Sequence, residues 1–529
     1  MAAAAPPATA PAPAPAAPRA APPPLAGVPL VLGTIALSLA TFMNVLDTSI
    51  ANVSIPAISG DLGVSPSEGT WVITSFGVAN AIGVPLTGWL TQRFGAVKLF
   101  FTSVLLFALA SWLCGLAPNI ETLIALRVLQ GAVAGPMIPL SQTLLLASYP
   151  PAKAGLALAM WSMTTLVAPV VGPLAGGWIT DYISWPWIFY INVPVGLLAA
   201  FMTWSIYRHR ESPTHKLPID VVGLSLLVIS VGAFQIMLDK GKELDWFSST
   251  QIVTLAIVAI VGFMFFLAWE LTDDHPVVDL WLFTRRNFWV GASSLAVAYA
   301  LFFGNLVVLP LWLQQWMGYT ATQAGMALAP VGLLAFILAP LVGRNVARFD
   351  ARILVTISFV VFAIVLFMRS QFNTQADYWT IMLPTVVQGA AVAFFFVPLT
   401  AITLSGLPPE RIAAAAGLSN FARIAAGSFG ISIATTVWDD RAAMHHAHLA
   451  ETLSRFGGNG TAALAQMAKS GLTPDQALLQ LNRMVDQQSY MLGANDIFYG
   501  SAVLFLVLIP LVWLARRLRG GAAEAGGAP

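Results

Sequence analysis

An acid and a base stand inside long apolar stretches of this sequence, where ionisable side chains are rare. The acid is Asp47, in the stretch 28–50, and the base is Arg127, in the stretch 121–146. Burial in an apolar helix disfavours the charged form of a carboxyl group, so such a group can take up and release a proton. We therefore predict that Asp47 couples a proton to function. The alternative is a carboxyl group that only hydrogen-bonds neighbouring helices.

An arginine in the middle of an apolar helix must pair with another group or face a water-filled cavity. The expected partners of Arg127 are Asp47 or the polar residues Asn44 and Asn52 of the same stretch as Asp47. Gln130, one helical turn after Arg127, is a further supporting polar residue. A purely structural ion pair is the alternative interpretation.

A third intramembrane charge is Arg423, in the stretch 413–436. We interpret it as lining a cavity or pairing across an interface, and its role could also be structural. A functional Arg423 would favour anionic or neutral lipophilic substrates, or act as an internal countercharge. Further polar residues predicted to line the cavity are Gln142, Asn305, Gln388 and Asn420.

The composition requires lipid around these residues. Of the 529 residues, 57% are hydrophobic and 9% are charged, whereas soluble domains have about 25% charged residues. The net charge of +1 gives no electrostatic case for binding nucleic acid. The single cysteine, Cys114, excludes an intramolecular disulfide and a thiolate metal site. No metal site and no nucleophile motif is found, so the sequence predicts no enzyme.

A membrane-spanning helix needs about 20 mostly apolar residues. The sequence predicts fourteen such spans, at 28–50, 71–90, 99–116, 121–146, 154–179, 187–207, 219–238, 251–269, 288–313, 324–343, 353–368, 379–404, 413–436 and 497–514. Residues 1–27 are rich in Ala and Pro and are predicted to be a disordered tail, and residues 520–529 a flexible one. Lys and Arg are more frequent in one set of loops, which predicts cytoplasmic termini. Lys240, Lys242 and Arg369 are assigned to the outer loops.

The chain contains an internal repeat. The segment GWLTQRFG at 88–95 is echoed by GRNVARFD at 343–350, and VLQGA at 128–132 by VQGA at 387–390, with an offset of 255–258. Duplicated bundles place a cavity at their interface near the middle of the membrane. We predict an N-terminal six-helix bundle at 28–207, a two-helix insertion with linkers at 208–287, and a C-terminal six-helix bundle at 288–519.

Two glycine-containing segments complete the set of motifs. Gly88, Arg93, Gly95 and Lys98 form a loop motif between the second and third spans, predicted to clamp helix ends in one conformation. The segment APVVGPLAGG at 168–177 contains Pro169, Gly172, Pro173, Gly176 and Gly177. Its small residues permit close helix contact, and its prolines bend the helix.

Together with LDTSIANVSIP at 46–56 and Arg127-x-x-Gln130-Gly131, these segments resemble the major facilitator superfamily, specifically its fourteen-span drug:proton antiporters, the inner-membrane exporters of multidrug resistance. The resemblance covers residues 28–519. The family pattern commonly has Asp where this chain has Gln92. In the family, the 168–177 motif goes with exporters.

The resemblance implies an all-α membrane protein with the major facilitator fold, two six-helix bundles plus two inserted helices. It implies proton-driven multidrug efflux of small lipophilic substrates across the bacterial inner membrane, with protons as coupling ion and no cofactor. The implied contacts are membrane lipids, a periplasmic adaptor protein and, through it, an outer-membrane channel. An exporter of one defined metabolite or siderophore stays open, as does a non-transporting receptor or assembly protein.

A long polar segment at 437–495 interrupts the last two predicted spans. Helical composition at 439–456, a break at Gly457–Gly460 and a helix start at Thr473-Pro474-Asp475 predict a periplasmic helical hairpin. The hairpin is a plausible docking element for the adaptor. The stretch 439–456 also contains His445, His446 and His448, but no acid or cysteine pattern in the sequence supports a metal site there.

Overall fold

The computed structural model describes residues 23–517, with gaps at 151–152, 215–217, 219, 274–275, 346–347 and 454–458. The predictions for most of the N-terminal tail and for residues 520–529 therefore lie outside the described residues. Within them, every regular element is a helix, as the sequence predicts.

The first half contains ten helices, several of which form one span in pairs. They are α1 Gly27–Asp61, α2 Pro66–Gly69, α3 Trp71–Gly83, α4 Thr87–Phe94, α5 Ala96–Cys114, α6 Ile120–Ala134, α7 Met137–Ser148, α8 Ala154–Tyr182, α9 Trp187–Tyr190 and α10 Asn192–Tyr207. The insertion contains α11 Val221–Gly241 and α12 Thr250–Glu270, with short 3₁₀ turns at Trp246–Ser248 and Leu280–Thr284.

The second half repeats the pattern of the first. Its helices are α13 Arg286–Trp316, α14 Ala321–Leu328, α15 Val331–Asn345, α16 Ala351–Arg369, α17 Tyr378–Leu404, α18 Pro409–Thr452, α19 Asn459–Lys469 and α20 Pro474–Trp513. Each half has its own large apolar core, one centred on α1, α5, α7 and α10 and the other on α13, α16, α17 and α20.

The number of spans is smaller by a strict criterion than the fourteen predicted. Among the described residues, ten helical segments are long and apolar enough to cross a membrane, and eleven if α3 and α4, bent by 61°, form one span. The predicted spans outside this group fall on α8, on α14 with α15, and on α18. The count of fourteen and the cytoplasmic position of both termini stay predictions.

The two halves meet tightly at one end through a pair of glycines that the repeat relates. Gly88 of α4 packs against α18, where a Cβ atom on the glycine would lie 2.7 Å from the Cβ atom of Ala414. Gly343 of α15 packs against α8, where a Cβ atom would lie 2.5 Å from the Gly155 carbonyl oxygen. Each glycine thus contacts the first turns of a helix from the opposite half, which closes this end of the interface.

The inserted helix α11 bridges the halves at the opposite end. Lys240 donates to Thr70 Oγ1 at 2.9 Å, next to α3 of the first half. On the other side, Gln235 donates to Ser428 at 3.2 Å and Ser432 donates to the Leu238 carbonyl at 2.9 Å, both contacts with α18. The insertion is therefore bonded to both bundles.

Two cations predicted for outer loops lie in helices and are buried. Lys240 is in the last turn of α11, and Arg369 is the last residue of α16, with exposures of 6% and 1%. The prediction was wrong for both. Each residue follows an apolar run, as a loop residue would, but its side chain turns back into the bundle.

The polar segment at 437–495 continues two long helices, α18 and α20. α18 continues to Thr452, and α20 begins at Pro474 behind a capping box that Thr473 and Gln476 form. His445 contacts Asp496 at 2.9 Å and His446 contacts Asp486 at 2.8 Å, so ionisable pairs join the two arms. The predicted break at 457–460 lies partly outside the described residues.

We predict that Gly343→Ala destabilises the protein, because the added methyl group would press on the Gly155 carbonyl. Overpacking of this kind costs about 1–3 kcal/mol, and the apparent unfolding midpoint in detergent should fall. Gly332→Ala is the matched control in the same helix, since a Cβ atom there meets nothing within 4 Å. Equal midpoints for the two variants would contradict the close contact between α15 and α8.

Candidate functional site

Asp47 and Arg127 form an ion pair in the interior of the first half. Arg127 Nη1 lies 2.5 Å from Asp47 Oδ2, and both side chains are 0% exposed. Asp47 is on α1 and Arg127 on α6, so the pair joins the first and fourth spans. Of the partners that the sequence left open for Arg127, the structure selects Asp47.

Two amide side chains complete the surroundings of the carboxylate. Gln130 Nε2 donates to Asp47 Oδ1 at 3.2 Å, and its own oxygen accepts from Arg127 Nη1 at 2.8 Å. Asn192 Nδ2, at the start of α10, donates to Asp47 Oδ1 at 2.8 Å and to Ser111 at 3.0 Å. The carboxylate therefore accepts hydrogen bonds from two helices, α6 and α10.

Arg127 is held by backbone and aromatic contacts as well as by the acid. Its Nε donates to the Val72 carbonyl at 2.9 Å, and the guanidinium lies over the Phe76 ring at 4.2 Å. Such contacts partly replace the water that a cation loses on burial. Protonation of Asp47 would remove the countercharge and leave a cation whose remaining contacts are all with α3, α6 and the Phe189 ring.

The other two predicted supporting residues lie apart from the pair. Asn44 donates to the Ala134 carbonyl at 3.1 Å and fixes α1 against the end of α6. Asn52 is exposed and donates to the Thr48 carbonyl of its own helix. Asn192, by contrast, was not among the predicted site residues, because an uncharged amide in an apolar segment gives little signal.

A cleft lies between the two halves, lined by Gln142, Trp161, Leu295, Phe396, Thr400, Thr403, Ser419, Asn420 and Arg423. Asn420 Nδ2 donates to Gln142 Oε1 at 3.2 Å, which joins α18 of the second half to α7 of the first. Arg423 donates to Asn420 Oδ1 at 2.8 Å and to the Tyr299 hydroxyl, and it lies over the Tyr299 ring at 4.5 Å. The structure thus brings together three of the residues predicted for the cavity.

Asn305 and Gln388 were predicted for the same cavity but lie elsewhere. Asn305 donates to Ser501 at 2.9 Å, and Gln388 accepts from Arg369 at 2.6 Å, both inside the second bundle. A polar residue in an apolar span can face either its own bundle or the interface, and the sequence pattern does not distinguish these two orientations.

The loop motif positions two helix ends. Gly95 has φ +88°, and a Cβ atom on it would clash with the carboxylate of Glu211. That carboxylate accepts from the backbone N–H groups of Val97 and Lys98, each at 2.9 Å, at the N-terminus of α5. Arg93 lies over the Trp89 ring at 5.4 Å.

An acid from the segment after α12 shares a pocket with Gln92, the position at which the motif lacks an acid. Asp279 and Gln92 line the same small pocket, between α4, α18 and the segment that follows α12. Asp279 pairs with Arg411 at 3.1 Å, and Arg411 in turn lies over the Trp281 ring at 4.1 Å. A charged contact therefore exists at this end of the interface without an acid at position 92.

The small-residue motif of α8 packs on the helix that carries Asp47. A Cβ atom on Gly172 would clash with Ser49, and one on Gly176 would lie 2.9 Å from the Ile50 carbonyl oxygen. Gly177 is half-buried beside them. The side chains of Pro169 and Pro173 lie outside the described part. The glycines let α8 follow α1 closely within one turn of the ion pair.

Comparison with known proteins gives a consistent family. Residues 37–431 match the family model described as Major Facilitator Superfamily. The chain is 54% identical over 506 residues to the multidrug export protein EmrB of Escherichia coli K12, with 96% of this chain and 99% of the relative covered. It is 49% identical over 494 residues to the fatty acid resistance protein FarB of Neisseria gonorrhoeae, with 93% and 97% covered.

A solved structure supports the fold. The human organic anion transporter MFSD10 (TETRAN) superposes with a TM-score of 0.57 at 13% identity, covering 92% of this chain and all of that chain. At this identity, the likeness shows the shared fold alone.

We predict that the Asp47–Arg127 pair is strongly coupled in stability. Removing one member leaves the other as an uncompensated buried charge. Asp47→Asn should therefore destabilise the protein through Arg127. Arg127→Gln should destabilise it through Asp47, unless Asp47 binds a proton. Breaking a buried pair costs about 3–5 kcal/mol. The double variant contains no buried charge here and should be more stable than Asp47→Asn. Unfolding midpoints in detergent would measure this, and additive effects would contradict it.

Proposed function

The chain belongs to the major facilitator superfamily, and we propose that it is a proton-driven multidrug exporter of lipophilic compounds, acting across the bacterial inner membrane. The observation that carries the proposal is the enclosed Asp47–Arg127 pair, the kind of intramembrane acid that transporters use to bind protons. The named multidrug export relatives support the direction and the breadth of transport.

Proton binding would act through the helices that meet at Asp47. The neutral acid attracts Arg127 less, so the tie between α1 and α6 weakens. α1 is in direct contact with the glycines of α8, and α8 also packs on α15 through Gly155 and Gly343. A change in the position of α1 therefore has a continuous packing route to the interface between the halves.

The cleft beside Arg423 is the proposed substrate site. Apolar and aromatic walls from Trp161, Leu295 and Phe396 suit lipophilic compounds, whereas Arg423 offers a cation to their polar ends. Within the described residues, Arg423 forms no ion pair with an acid. We propose that the site accepts neutral and anionic lipophilic compounds.

A tripartite assembly is the finer part of the proposal. The arms that α18 and α20 extend beyond the bilayer carry exposed apolar side chains, including Leu478 and Leu479 with exposures of 59% and 64%. We propose these arms as the contact with a periplasmic adaptor and, through it, with an outer-membrane channel. The resemblance to the fourteen-span multidrug exporters supports this assignment.

We predict that the purified protein releases protons when it binds an exported compound and that Asp47→Asn does not. A pH indicator in weakly buffered detergent solution, with dodecanoate as the titrant, measures the release. Glu451→Gln is the control, because it removes an exposed acid from the extended arm of α18. Release that persists unchanged in Asp47→Asn would sink the proton-coupling role.

We also predict that Arg423→Gln lowers the affinity for dodecanoate more than for the neutral dodecanamide. The two probes share a chain and differ in charge, and a hydrogen bond to a charged group contributes about 1.5–3 kcal/mol. The expected loss is therefore about tenfold or more for the carboxylate alone. Equal losses for both probes would show that Arg423 acts through the shape of the cleft.

A further inference from the structure

A buried cation without an acid partner lies in the second half. Arg369 is 1% exposed, and its Nη2 donates to Gln388 Oε1 at 2.6 Å and to Thr385 Oγ1 at 3.0 Å. Its Nε has no acceptor, and no Asp or Glu forms an ion pair with it, among the residues that the structure describes. Both of its contacts are with neutral oxygens.

The internal repeat shows what this site lacks. Around the motif at 128–132, residues 258 apart correspond, so that Gln388 matches Gln130 and Thr385 matches Arg127. In each half a guanidinium group donates to the oxygen of this glutamine, at 2.8 Å in the first half and 2.6 Å in the second. The second half supplies its guanidinium from α16 instead of the helix that carries the glutamine.

The second half supplies no such acid to this cation. Among the described residues no Asp or Glu pairs with Arg369, and Asn305, which stands 258 residues after Asp47, is neutral and buried. The first half therefore contains a neutralised pair, whereas the second contains a cation that donates to one amide and one hydroxyl group.

An unpaired buried cation is unstable in such surroundings. Arginine stays protonated in proteins, and taking an ion out of water costs several kcal/mol unless an opposite charge compensates it. A second unused donor lies near this end of α16. Trp312 Nε1 is buried without an acceptor among the described residues, and its ring stacks on Phe372, whose N–H bonds the Arg369 carbonyl at 3.0 Å.

We propose that the second half binds a small monovalent anion, of which chloride is the abundant example, beside Arg369. The unused Nε of Arg369 is the primary donor. The burial argues for a small ion, because Arg369, Thr385, Gln388 and Trp312 are each at most 4% exposed. The anion supplies to the second bundle the charge that Asp47 supplies to the first.

The experiment compares thermal unfolding of the full chain in detergent in sodium chloride and in sodium gluconate at equal ionic strength. A ligand that binds only the folded state raises the midpoint as its concentration increases. We expect the midpoint to rise with chloride and not with gluconate. Arg369→Lys should keep this response, and Arg369→Gln should lose it.

Gln388→Glu provides a second and independent test. It places a carboxylate where the amide oxygen already accepts from Arg369 at 2.6 Å, so an internal anion competes with chloride and the chloride response should shrink at least severalfold. Arg411→Gln is the control, because this arginine has its own acid, Asp279, and should leave the response unchanged.

Identical curves in chloride and gluconate for the unmodified chain would overturn the proposal. A chloride response that persists in Arg369→Gln would place the ion elsewhere and would overturn it as well. If Arg369→Gln does not fold, Gln388→Glu decides, since an unchanged chloride response in that variant contradicts charge compensation at Arg369. None of these outcomes depends on the proposed export activity.

Discussion

The architecture of the first half depends on keeping one carboxylate ionised in an apolar interior. Asp47 can remain charged there because Arg127 neutralises it and because Gln130 and Asn192 donate to its oxygen. These groups come from α1, α6 and α10, so the helices must pack closely enough for short side chains to meet. The desolvation of both ions opposes this arrangement, and the hydrogen bonds offset it only while the geometry holds. A proton that binds Asp47 therefore alters the contacts of several helices at once.

The second half has the same frame with different chemistry. Gln388 keeps the place of Gln130 and accepts from a guanidinium group, but that group comes from Arg369 of another helix. The two bundles therefore differ in buried charge, since the first contains the Asp47–Arg127 pair and the second contains Arg369, which forms no ion pair with an acid among the described residues. The cleft beside Arg423 lies between them.

The sequence predicted the helical class and the repeat, and it named Asp47 among the possible partners of Arg127, because charges in apolar stretches stand out against composition. It did not reveal Asn192. The amide of this residue is no more polar than many helix residues without a functional role, and it matters only through its 2.8 Å contact with Asp47. It also assigned Asn305 to the cleft, because hydropathy indicates that a residue lies within a membrane span and does not indicate which face of the helix it occupies. Arg369 was placed in a loop for a related reason, because a charge at the end of an apolar run marks a membrane boundary unless its side chain folds back.

The loop motif shows how a local departure from a family pattern can be compensated by a distant segment. Gln92 cannot supply the negative charge that the family commonly has there, and sequence alone leaves the contact in doubt. Asp279, which follows the inserted helices, lies in the same pocket and pairs with Arg411 at the start of α18. Because the acid comes from the segment that links the insertion to the second half, opening of this end would have to move that segment. The insertion thus contacts both ends of the interface between the halves, through α11 at one end and through the segment after α12 at the other.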